Sequence, residues 1–155
     1  MRISTLVILT SLFIFTGYSS LISAHTLPGV LGKKKSKGAA TDQFTVTCFN
    51  DGAGEPDHLF VHVRDERPRN PALITIQAFN QATNVATPLS TDPADSDAGF
   101  SPGAVIGSGA GPYFVTVNKS RSKKIGAEIY TVEFHCQTAS GEHTGTDEPV
   151  RIQNQ

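Results

Sequence analysis

The strongest constraint on this chain is a two-residue alternation of apolar and polar side chains, repeated in short runs and nowhere replaced by a sustained 3.6-residue period. In residues 127–137, Tyr130, Val132, Phe134 and Cys136 share one phase, while Ile129, Thr131, Glu133 and His135 share the other. Successive side chains of an extended chain point to opposite faces, so this run predicts a half-buried strand. Residues 43–48 repeat the pattern with Phe44, Val46 and Cys48. Residues 57–64 set Leu59, Val61 and Val63 against His58, Phe60 and His62. A further strand is expected over 72–79, with Leu73, Ile74 and Ile76 apolar, and another over 113–117, with Tyr113, Val115 and Val117 on one face. Shorter strands are expected near 84–87 and at 149–152. Turn-forming residues separate these runs at 50–54, at Pro68 and Pro71, at 118–126 and at Gly141. Residues 88–111, rich in Pro, Gly, Ser and Asp, read mostly as loop. Short strands between turns predict an all-β fold, a single antiparallel β-sandwich. The expected core is Phe44, Val46, Leu59, Val61, Val63, Ile74, Ile76, Val115, Val117, Tyr130, Val132 and Phe134.

Ahead of this pattern stand Arg2, an apolar run over 6–15, and small residues up to Ser23 and Ala24. That arrangement predicts a secretory signal peptide over 1–24, cut after Ala24. The run is too short to span a bilayer with margin, and no later apolar segment reads as a transmembrane helix. The expected location is a periplasm or the extracellular space. In such an oxidising compartment a pair of thiols becomes a disulfide. Cys48 and Cys136 both lie on apolar strand faces, one early and one late, which predicts a bridge across the core. Residues 25–42, with Lys33, Lys34, Lys35 and Lys37, read as a flexible basic arm, and 43–155 as the sandwich domain. Losing Arg2 would leave twelve basic against fourteen acidic residues, a formal charge of −2. Nucleic-acid binding, which needs a strongly basic face, is disfavoured. Trp is absent and aromatics are only 8%, so stacking platforms for sugars or bases are expected to be scarce.

The stretch Gly111-Pro112-Tyr113-Phe114-Val115-Thr116-Val117, a turn, and then Ala127-Glu128-Ile129-Tyr130-Thr131-Val132-Glu133-Phe134 resembles the closing hairpin of bacterial pre-peptidase C-terminal domains. The early and late cysteines are similar to those of immunoglobulin-like sandwiches. The chain departs from true immunoglobulin domains in having no Trp and in placing Tyr130 six residues before Cys136. The resemblance implies an exported immunoglobulin-like sandwich of the kind attached to enzymes or surfaces as a binding module.

The chemistry-bearing residues are chiefly histidines. His58 and His62 share a face, but at about 3.3 Å per residue they sit roughly 13 Å apart, too far for one metal ion. His62 and His135 would meet if their strands were neighbours in one sheet. His25, as the first residue after cleavage, would offer an amino group and an imidazole together, a chelate suited to Cu(II). The set His25, His62 and His135 resembles the terminal-His copper sites of periplasmic copper carriers and copper-dependent polysaccharide monooxygenases. Only His25 maps onto that pattern by position. His135 and Glu133 share the outer face of their strand, where a carboxylate tunes an imidazole.

Other constellations are weaker. Asp92, Asp95 and Asp97 lack the spacing of an EF-hand loop, and Asp is common in turns. Ser101 and Ser108 have no base placed by spacing, and residues 107–111 are followed by no helix pattern and no Lys. The expected function is therefore an exported, non-enzymatic β-sandwich binding or accessory module, with a surface, protein or polysaccharide as ligand. The alternative is a periplasmic copper-binding protein using His25, as a carrier or an oxidative copper enzyme.

Overall fold

The computed structural model describes residues 25–68, 72–92 and 98–155. The expected signal peptide lies outside the described residues, as do Asp95 and Asp97.

Eleven strands follow one another among the described residues, with no helix between them: β1 (His25–Leu31), β2 (Ala40–Phe49), β3 (His58–Arg67), β4 (Ile74–Asn80), β5 (Val85–Ala86), β6 (Ser90–Thr91), β7 (Ala104–Gly107), β8 (Gly111–Lys119), β9 (Glu128–Gln137), β10 (Gly145–Thr146) and β11 (Val150–Gln153). They form two antiparallel sheets packed face to face. The four-stranded sheet has the order β1-β9-β3-β7. The seven-stranded sheet runs β10-β2-β8-β4-β5, with β11 also on β2 and β6 also on β4.

Alternation puts one phase of each long strand into the space between the sheets. All twelve residues of the expected core are there, each 0% exposed. Phe44 and Phe134 meet across the two sheets edge to face, with ring centroids 5.9 Å apart. Such a pair adds about 0.5–1.5 kcal/mol beyond the area it buries. Cys48 of β2 and Cys136 of β9 are bonded, which ties one sheet to the other at one end of this core. At the other end, Asp42 is fully buried. The Tyr130 hydroxyl donates to its Oδ2 at 2.6 Å, and the Gln155 backbone N–H donates to its Oδ1 at 3.0 Å. Burial, and next the adjacent Asp42 carboxylate, push the Tyr130 phenol far above its ordinary value.

The structure departs from the sequence reading in several places: residues 40–42 of the expected arm already belong to β2, Ser90–Thr91 of the stretch read as loop form β6, and three further differences stand out. Residues 25–31, expected within a flexible arm, form edge strand β1, paired along its length with β9. Leu31 is buried and Leu27 packs against the core, while Pro28 is tolerated because an edge strand leaves one side of its ladder open. Gly29 lies opposite Tyr130, and a Cβ there would fall inside the Tyr130 ring. Second, residues 104–107 form β7 on β3, inside the stretch read as loop. Four residues, the last a glycine, in a Gly- and Ser-rich stretch carry too little alternation to stand out. Third, β4 begins at Ile74, and Leu73 is 49% exposed.

Candidate metal centre

The outward phase of β3 and β9 builds the site. These strands are direct neighbours, and their register sets His62 opposite Glu133 and Phe60 opposite His135. His62 and His135 are therefore diagonal neighbours on one face, within reach of each other and of the carboxylate between them. His62 Nε2 lies 2.6 Å from Glu133 Oε2, and His135 Nε2 lies 3.6 Å from the same oxygen. One ligand atom from each of His62, Glu133 and His135 falls within 4.8 Å of the others.

The surroundings hold these rings in place. Phe100 stacks on His62 with centroids 4.0 Å apart and planes 14° from parallel. Arg64, paired with Glu66 at 2.6 Å, lies over the same Phe100 ring at 4.8 Å. Phe60 contacts both His62 and His135, at 5.0 and 5.8 Å between centroids. A Cβ on Gly103 would collide with the Phe60 ring, so the bare backbone there lets that ring lie flat. His143 packs on His135 at 4.6 Å. The Nδ1 of His135 is buried and has no hydrogen-bond partner.

The electrostatics prepare the ligands for a cation. Burial, and next the neighbouring His143, hold the His135 imidazole below its ordinary value against the pull of Glu133. Burial works to raise the Glu133 carboxyl, but its hydrogen bond to His62 and the charges of His62 and His135 outweigh it, and the net shift is downward. Both groups therefore favour the deprotonated form that a metal requires. Each folded-state value lies below the unfolded one, at 6.5 for His and 4.5 for Glu. The stability they contribute is complete above the unfolded value and drains away as pH falls, first through the His135 range and then through that of Glu133. The metal-free protein should lose melting temperature between neutral pH and pH about 5, and His135→Gln should flatten that slope. Equal slopes for the two proteins would refute the assignment to His135.

The other histidines stand apart. His58 is held by Asp57 on Nδ1 and by Gln137 on Nε2, both at 2.9 Å. His25 pairs with Phe134, so its side chain takes the core-side phase, opposite to that of His62 and His135. The structure brings His62 and His135 together and leaves His25 out of the group. Asp92 is buried and accepts the Asp65 backbone N–H at 2.6 Å. Ser101 Oγ accepts from the Val63 backbone N–H at 3.1 Å, and Ser108 Oγ lies 3.2 Å from Thr83 Oγ1. Phe100 and His143 escaped the sequence reading. A lone aromatic in a Pro- and Gly-rich loop was the one available signal for Phe100, and nothing local marks His143.

Two imidazoles and one carboxylate on the outer face of a disulfide-linked sandwich define a class of site suited to divalent transition metals. No protein-family model, curated protein or solved structure matches the chain.

Proposed function

We propose that this chain is an exported, non-catalytic β-sandwich module that binds a divalent transition metal, Cu(II) foremost, through His62, Glu133 and His135. The observation that carries this reading is the convergence of the three ligand atoms within 4.8 Å. Metal–ligand bonds of about 2.0–2.2 Å place the cis ligands of a tetragonal Cu(II) site about 2.8–3.1 Å apart, so modest side-chain rotations close the set. With imidazole and carboxylate ligands and no thiolate, affinity should follow the order in which Cu(II) exceeds Zn(II). The Cys48–Cys136 bridge supports the oxidising compartment.

The test is Cu(II) and Zn(II) titration by calorimetry, free of affinity tags. His62→Ala and His135→Ala should each weaken Cu(II) binding by about a hundredfold, since each removes one of three protein ligands. Adding one residue before His25 in the cleaved form should change little. If the extension abolishes binding while His62→Ala does not, the copper site is the terminal chelate of His25 and this assignment fails. Absence of binding by the wild type would also overturn it.

A further inference from the structure

The opposite side of the molecule carries a surface of different chemistry. On the outer phase of the seven-stranded sheet, the register aligns side chains into rows across the strands. One row is Thr45, Phe114, Phe79 and Ala86, from β2, β8, β4 and β5. The next, two residues along each strand, is Gln43, Thr116 and Gln77. A third, Thr41, Asn118 and Thr75, follows. None of these side chains ionises. Along the first two rows lies a groove of about 360 Å³, lined also by Gln81. Its size falls within the ~300–1,000 Å³ range of small-ligand clefts.

We propose that this face binds an uncharged polysaccharide lying across the strands, with its ring faces on Phe79 and Phe114 and its hydroxyls on Gln43 and Gln77. The pattern of the rows argues for this occupant. A sugar ring presents C–H bonds on its faces and hydroxyls around its edge. The negative face of an aromatic ring receives the first. A glutamine amide offers both donors and an acceptor to the second. Gln77 is already held in place, its Nε2 donating to the Thr87 carbonyl at 2.7 Å. At about 4.8 Å between strands, the four-strand row spans about 14 Å, room for more than one ring of an extended chain. A charged partner would find no counter-ion in these rows, whereas the other sheet displays His62, Arg64, Glu66 and Glu133. The sequence expectation that stacking surfaces are scarce holds for Trp, but the antiparallel register of β4 and β8 sets two separated phenylalanines side by side.

The experiment is affinity gel electrophoresis in soluble mixed-linkage glucan, xylan and galactomannan, with pull-down on cellulose and chitin, all in EDTA. Wild type should be retarded or retained by at least one of them. Phe114→Ala, Phe79→Ala and Gln43→Ala should each lower affinity about tenfold, the scale of one lost stacking or hydrogen-bonding contact. Gln43 lies on the surface, so its variant reports on binding even if a phenylalanine variant unfolds. No retention on any glycan, or retention unchanged in all three variants, overturns the proposal. If sedimentation instead shows concentration-dependent self-association that the variants abolish, the face is an interface between copies, which also overturns it. Because EDTA removes metal throughout, failure here leaves the copper reading untouched, and the converse holds.

Discussion

Replacing both cysteines, Cys48→Ala with Cys136→Ala, is expected to lower the unfolding free energy by about 2–5 kcal/mol. The bridge spans 88 residues of sequence. Closing a loop of that length restricts the unfolded ensemble by roughly 4–5 kcal/mol in the chain-entropy account. Total stability of a domain this size is only about 5–15 kcal/mol, so the variant should be partly unfolded near 37 °C if the wild type lies at the low end. The cost should be larger than for a bridge closing a short loop, because the entropy term grows with the length of chain enclosed. Urea unfolding of the two proteins measures the difference. Thiol titration of the unfolded, unreduced wild type should find no free thiol, and two free thiols would refute the bridge.

Phe134→Ala should cost about 3–5 kcal/mol, the range for truncating a buried aromatic ring. Phe134 is 0% exposed and supplies one half of the aromatic contact with Phe44 across the sheets. Truncation leaves a void lined by both sheets, and Val61, its partner in β3, cannot fill it without moving the strand. The same backbone segment carries Glu133 and His135, so the variant should also bind Cu(II) more weakly. A variant melting like wild type would mean that the inward phase of β9 is misassigned. An intermediate loss for Phe134→Leu, which keeps most of the volume, would tie the effect to packing.

The inward phases were legible because period two is a local signal. Each long strand shows its buried face within ten residues, and burial of one phase fixes the register. The pairing of strands is not local, and the site depended on it. His62 and His135 meet because β3 and β9 are neighbours, a condition the sequence could state but not decide. His25 stands apart from the pair for a physical reason. The arm it opens holds four lysines, a proline and several glycines, which read as unanchored, yet residues 25–31 pair with β9 along their length and Leu27 and Leu31 pack on the core. Docking fixes the phase of His25 on the core side, away from the cluster. β7 was hidden by brevity. Phe100 and His143 belong to loops, where no periodicity reports which wall they will stand against.

Strand β9 has a consequence for how such a chain can change over generations. Its inward phase holds Tyr130, Val132, Phe134 and Cys136, and its outward phase holds Glu133 and His135. It pairs on both sides, with β1 and with β3. Neither phase is left to drift: a substitution on one side meets the core and the disulfide, and a substitution on the other meets the ligand cluster. Strands such as β5 and β6 pair with one neighbour each and carry no such double duty. Among relatives of this chain, β9 should therefore be the stretch that diverges most slowly, and the place where ancestry would still be readable after the loops have been rewritten.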